Sequence, residues 1–146
     1  MANLYGSNYT LAYVNVPSEK IEPGEQVGKV KVAYDEYDLD GLGVVIAAND
    51  LIYLMKIPAG ARVLEAIIDS PSLGTTGIVQ LGTAADPDRY IAAADAGGQA
   101  VREKMPLGAD GAFEELTEET QLILKCTEIT TEITGIIKVA VFYVMD

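Results

Sequence analysis

The sequence contains no histidine and no tryptophan, and its 146 residues include a single cysteine. Without histidine the chain lacks the usual general base near neutral pH and the commonest transition-metal ligand, which disfavours most hydrolases and metalloenzymes. Cys126 alone can form neither an internal disulfide nor a multi-cysteine metal site, and no histidine can activate it. We expect it to be a reduced, half-buried thiol on a strand. Carboxylate-pair and lysine-based catalysis stay open, but we expect no enzyme, no cofactor and no metal.

Positive charge is also scarce. The chain has 10 Lys and Arg against 22 Asp and Glu, a formal net charge of −12, which repels both phosphate backbones and anionic lipid. No segment approaches the roughly 20 consecutive apolar residues that a membrane-spanning helix requires. Residues 1–7 lack the basic region and apolar run of a secretory signal. We expect a soluble protein, synthesised in a cytoplasm, with no direct nucleic-acid partner and no membrane partner.

Short β-type runs separated by turn residues make up most of the chain. Residues 28–34 alternate polar and apolar, which predicts a half-buried strand with Val30, Val32 and Tyr34 on its core side and the lysines outside. An acidic turn is predicted at 35–41. A hairpin is predicted between the strands at 62–70 and 77–83. The other predicted strands are 44–48, 51–57, 120–127 and 135–145, and we expect 62–70 and 135–145 to be central.

One segment carries a helix signal. In residues 86–95, Asp86 is a candidate N-cap, Pro87 stands at the first helical position, and an alanine-rich body ends before two glycines. The glycines and mixed charges of residues 96–112 predict a long excursion. Two interpretations are open for it: contact with a neighbouring subunit, or a surface loop without a partner.

The predicted fold class is all-β: an antiparallel jelly-roll-like β-sandwich with one short helix and an extended N-terminal arm. The β-sandwich domain is predicted at residues 28–146 and the arm at 1–27. The arm carries Tyr5, Tyr9 and Tyr13, which are candidate partner contacts because tyrosines on extended segments often dock on other chains. The alternative is an arm folded back as the first strand of its own sheet.

Two acidic clusters stand out in the sequence, and neither receives a catalytic assignment. Residues 36–41 imitate the start of a calcium loop, with carboxylates at alternate positions and glycine at the sixth, but Ala47 occupies the position that needs a bidentate Glu. A solvated turn is the favoured interpretation, with a looser cation site left open. The second cluster, predicted to be a solvated rim, is Glu114, Glu115, Glu118 and Glu119.

The central third of the chain carries a resemblance. Residues 57–64 (IPAGARVL), 73–75 (LGT) and 81–83 (LGT) through 86–90 (DPDRY) are similar to segments of small virion proteins of tailed bacteriophages, of the capsid decoration or cement type. In ordering, the resemblance covers residues 27–145. It implies a jelly-roll-like domain that forms homo-oligomers on the capsid exterior and clamps neighbouring major capsid protein subunits, and it brings no catalytic residues.

Two other functions stay open because a fold does not determine function. One is a head-fibre or tail-associated module that recognises a receptor or carbohydrate, which would need an aromatic-lined cleft. The other is a small enzyme, for which the sequence offers no convergent set of catalytic residues.

Overall fold

The computed structural model describes residues 29–40, 46–48, 50–127 and 133–145. Within these ranges every regular element is a β-strand, and no helix is long and apolar enough to cross a membrane. The strands are β1 (Lys31–Asp38), β2 (Leu51–Ile57), β3 (Ala61–Ser70), β4 (Ile78–Gly82), β5 (Ile91–Asp95), β6 (Val101–Lys104), β7 (Thr120–Cys126) and β8 (Ile136–Met145).

The strands form two four-stranded antiparallel sheets, in the orders β1-β8-β3-β6 and β2-β7-β4-β5. Apolar side chains from both sheets meet in one buried core. The all-β architecture of two antiparallel sheets is therefore confirmed. The largest side chains of this core that are fully buried include Tyr90, Ile57, Ile68, Leu81, Leu122 and Ile137.

The strands β3 and β8 organise the first sheet. Each is 10 residues long, and each is flanked by two strands, as predicted for residues 62–70 and 135–145. In β8, buried apolar residues alternate with outward-facing ones: Ile137, Val139 and Val141 are buried while Lys138 is exposed. One face of β8 is therefore apolar at every second residue, which suits a central strand that packs on the core.

The core side of β1 was predicted wrongly. Ala33 is buried and Tyr37 packs against the core, whereas Val30, Val32 and Tyr34 are 57%, 48% and 49% exposed. The strand also continues through the predicted acidic turn to Asp38, which pairs with Ile136 of β8. Ala33 lies opposite buried Val141, and a one-residue shift would reverse both faces of the strand.

The helix predicted at residues 86–95 is absent, and that prediction is wrong. Residues 86–90 form turns, and Ile91–Asp95 pairs with β4 as strand β5. Helices of fewer than about 12 residues are marginal in water, so alanine propensity yields to tertiary pairing. The Tyr90 N–H donates to the Leu81 carbonyl at 3.0 Å and begins this pairing.

The hairpin predicted between residues 62–70 and 77–83 is also wrong, because β3 and β4 lie in different sheets. The chain between them crosses from one sheet to the other, and β4 pairs with β5 and β7 instead. Part of the predicted excursion at 96–112 is the short strand β6, which pairs with the end of β3. The segment Val101–Lys104 is only four residues long, and three of the four are charged, so its sequence carries little strand signal.

Several predictions concern residues outside the described ranges. The arm with Tyr5, Tyr9 and Tyr13, and the first two residues of the strand predicted at 44–48, lie there. Of the latter segment, Ile46 is buried, and residues 47–48 are exposed and outside any strand.

Gly82 fixes the turn that replaces the helix. A Cβ at this position would overlap the backbone of Asp86 and Pro87. We expect Gly82→Ala to lower the free energy of unfolding by about 1–3 kcal/mol, the usual cost of overpacking. Urea denaturation measures the change. Ala92→Ser, on the exposed side of β5, is the control and should stay within about 0.5 kcal/mol of the parent protein. A neutral Gly82→Ala would contradict the close packing of this turn.

Candidate functional site: two exposed apolar surfaces

Cys126 is not a reactive group. It lies in β7, as predicted, and its thiol is buried more deeply than expected, at 4% exposure. Burial raises the pKa of the thiol to about 12. The thiolate form that reacts with electrophiles and metals is therefore scarce at neutral pH.

The acidic rim predicted at Glu114–Glu119 borders a cleft formed with the turn at 83–89. Three of its four carboxylates have cationic partners. Glu114 pairs with Arg89, Glu115 with Arg62 at 2.9 Å, and Glu119 with Lys56 at 3.2 Å. These pairs are partly or largely exposed, and exposed pairs contribute at most about 1 kcal/mol each. Among the described residues, the acidic rim therefore links turns to strands through ion pairs. It does not bring together a set of catalytic side chains.

Residues 36–41, which imitate the start of a calcium loop, do not form one continuous loop in the structure. Glu36 and Asp38 lie at the end of β1, where one-residue alternation places them on the same side. Asp40 accepts a hydrogen bond from the Gly135 N–H at 2.8 Å, and Gly41 lies outside the described residues. Among the described residues no group of three or more Asp, Glu, Cys or His could hold a metal ion.

The first exposed apolar surface is on the outside of the sheet β1-β8-β3-β6. We call it the β1 face, and it consists of Val30, Val32, Tyr34 and the half-buried Phe142, which lies opposite Val32. Farther along the same side the surface is charged, with Arg102 and Asp69 paired at 2.6 Å. Contiguous exposed apolar residues on an edge strand indicate an interaction surface.

The second apolar surface is the loop between β6 and β7. We call residues 105–113 the 105–113 loop. Leu107 is fully exposed, and Phe113 is 66% exposed. Phe113 has a φ of 61°, the only positive φ among the described residues other than glycine. This left-handed conformation costs a residue with a Cβ about 1–2 kcal/mol.

Two contacts hold Phe113 in this conformation. Its N–H donates to the Val63 carbonyl at 2.8 Å, and its carbonyl accepts from the Arg62 guanidinium at 3.3 Å. The residue nevertheless stays 66% exposed, so little burial offsets this cost. Strained residues of this kind concentrate at binding and catalytic sites, and the sequence carries no signal for the strain.

Negative charge accumulates at the 105–113 loop, from Asp110 within it and Asp88 next to it. Asp88, Asp110, Pro106 and Leu107 border one shallow recess. The pKa of Asp86 is raised, first because its carboxyl shares a hydrogen bond with Asp88 and further because Asp88 and Asp110 are negatively charged, although Arg89 opposes the shift. Arg89 is 3.8 Å from Asp86 but pairs more closely with Glu114.

The contact between the Asp86 and Asp88 carboxyls should make the stability of the fold depend on pH. A carboxyl whose pKa is raised by folding stabilises the fold below its unfolded pKa, about 4, and loses that contribution as pH rises through the folded pKa. We therefore expect Asp88→Asn to raise the melting temperature at pH 7, with a smaller gain at pH 3.5. Glu118→Gln is the control for loss of one exposed charge. An equal gain at both pH values would contradict the contact between Asp86 and Asp88.

Comparison with solved structures identifies similar folds in phage capsids. A chain of the cyanophage Pam1 capsid asymmetric unit matches with a TM-score of 0.67 and 24% identity, over 90% of this chain and 96% of that chain. A chain of the capsid of Ralstonia phage GP4 matches with a TM-score of 0.64 and 21% identity, over 81% and 85%. A chain of the acidic stable capsid of Helicobacter pylori bacteriophage KHP30 matches with a TM-score of 0.61 and 13% identity, over 82% and 90%.

No protein-family model matches the sequence, and no curated protein matches it. At these identities the three likenesses establish a shared fold, and family membership and function do not follow from them.

Proposed function

We propose that this chain is a non-enzymatic virion structural protein, a capsid decoration or cement protein that binds the capsid exterior and bridges major capsid protein subunits. The observation that carries the proposal is the likeness to three phage capsid chains, which spans 85–96% of their lengths. Those chains are therefore slightly shorter than this one, because the matched residues make up a larger share of them than of this chain, and each has room for a single domain. The resemblance of residues 57–64 and 81–90 to such proteins supports the same role.

We also infer that the sandwich is a jelly roll. The antiparallel pairs β1–β8, β2–β7, β3–β6 and β4–β5 are nested, as in one long hairpin that is wrapped around the core. Two sheets of four strands in this order have the architecture of viral capsid and lectin jelly rolls. Its rigidity suits a protein that contributes contact surface instead of chemistry.

A cement protein stabilises a capsid by repetition. Packaged DNA exerts outward pressure, and each bound copy adds a modest buried interface at an equivalent position of the lattice. When a copy contacts several subunits at once, the second contact forms at a high effective concentration. Individually weak contacts then resist rupture together.

Particles that lack the protein should assemble but release their DNA at a lower temperature. The physical reason is the loss of many bridging contacts, and fluorescence of a DNA-binding dye during heating measures the release. Adding the purified protein back should restore the release temperature. Identical release curves with and without the protein would refute the cement role, and a loss of adsorption to cells at unchanged head stability would favour the fibre alternative.

Self-association is part of the proposal, and the β1 face supports it. Val32 and Tyr34 are about half exposed on the edge strand β1, and the arm with Tyr5, Tyr9 and Tyr13 directly precedes this strand in sequence. Burial of such a strip between copies would remove apolar surface from water. The arm tyrosines are the further contacts that we propose, either with a second copy or with the capsid.

The combined variant Val32→Thr and Tyr34→Thr should weaken the homo-oligomer, because it removes apolar contact area and keeps strand propensity. We expect the concentration at half dissociation, measured by light scattering on dilution, to rise about tenfold or more. Tyr53→Thr, an exposed tyrosine of the other sheet, is the matched control. A parent protein that is monomeric at high concentration would contradict self-association.

A further inference from the structure

The 105–113 loop has fixed ends. At its beginning the Met105 N–H donates to the Ala66 carbonyl at 2.8 Å, and at its end the Phe113 N–H donates to Val63 at 2.8 Å. Both ends of the loop are thus held by residues of β3 that are three positions apart. After the loop, Glu115 forms a bridge with Arg62. Residues 106–112 project from this closed base.

The middle of the loop is also held. The Gly111 N–H donates to the Arg89 carbonyl at 3.3 Å, and Gly111 packs so closely on Tyr90 that a Cβ there would overlap the ring. Tyr90 itself is fully buried. The loop is therefore anchored at both ends and at one interior point, and its shape is defined before any partner binds.

The anchored loop presents apolar side chains to solvent. Leu107 is fully exposed, and Phe113 keeps a left-handed backbone while its ring is largely exposed. The core gains little from either side chain. Protruding apolar side chains on a preorganised element are the usual anchors of protein interfaces, because little conformational entropy is lost on binding.

The charge beside Leu107 indicates the chemistry of a partner. Asp88 and Asp110 border the same recess as Leu107, and within the described ranges neither carboxylate has an ion pair. A second copy would bring the same carboxylates and a net charge of −12. Charge complementarity therefore favours a cationic partner surface over self-association at this loop.

We propose that the 105–113 loop docks Leu107 and Phe113 into an apolar depression of the major capsid protein, with lysine or arginine side chains of that protein facing Asp88 and Asp110. This inference rests on the proposed function and names its contact. It assigns capsid docking to the β6 edge of the sheet and leaves self-association to the β1 edge on the opposite side.

Two variants test the anchors Phe113 and Leu107. Each should weaken binding to the capsid, and neither should lower the stability of the fold. Phe113→Asn removes the ring and introduces a residue that tolerates the left-handed conformation, so its melting temperature should equal or exceed that of the parent. Leu107→Ser changes a fully exposed side chain and should leave stability unchanged. Both should weaken binding to capsid shells that lack the protein, measured by co-sedimentation, by about tenfold or more. Tyr53→Thr is the control and should bind within about twofold of the parent.

A second pair of measurements tests the charge. The double variant Asp88→Asn and Asp110→Asn should bind shells more weakly, and its affinity should depend less on salt than that of the parent protein.

Light scattering tests the choice of the capsid as partner. The Leu107 and Phe113 variants should have the same oligomeric state as the parent protein.

The outcomes separate the two proposals. Normal shell binding by both anchor variants would overturn the docking inference and leave the cement role intact. Failure of the parent protein to bind shells would overturn both. Loss of the homo-oligomer in the anchor variants would assign the loop to contact between copies and overturn the choice of a capsid partner.

Discussion

The pairing of β8 with β1 on one side and β3 on the other is the constraint on which the rest of the first sheet depends. Ile137, Val139 and Val141 are buried at alternate positions of β8. Because register determines which face of a neighbouring strand meets the core, the position of Ala33 opposite Val141 directs Val32 and Tyr34 to the outside. One exposed apolar surface is thus a direct consequence of strand register.

The existence of strands was predictable where β-branched and aromatic residues form continuous runs. Leu51–Ile57, Ala61–Ser70 and Ile136–Met145 were predicted within one residue at each end, because their apolar side chains are both the signal in the sequence and the material of the core. The all-β class follows from them. The assignment of β3 and β4 to separate sheets could not be predicted from these runs, because the spacing between two strands does not distinguish a hairpin from a crossing between sheets.

Other features depend on tertiary contacts that a sequence does not carry. In β1 the inward position is held by the small residue Ala33 and the outward ones by Val32 and Tyr34, so side-chain polarity indicates the wrong core face. In residues 91–95 pairing with β4 overrides alanine's helix propensity. Phe113 is strained only because Val63 and Arg62 hold its backbone. The sequence therefore predicted the excursion at 96–112 but neither β6 nor the anchored loop within it.

The proposed contacts depend on the distribution of charge around the two apolar surfaces. The two apolar surfaces lie at opposite edges of one sheet, the β1 face before Asp35 and Glu36, and the 105–113 loop beside Asp88 and Asp110. A net charge of −12 opposes random encounters between copies. Under the docking proposal, a cationic surface of the capsid lattice would remove that repulsion where it meets the loop, so the apolar contact would become favourable there. Under the same proposal the carboxylates would supply specificity, and the exposed Leu107 and Phe113 would supply affinity only to a partner of opposite charge.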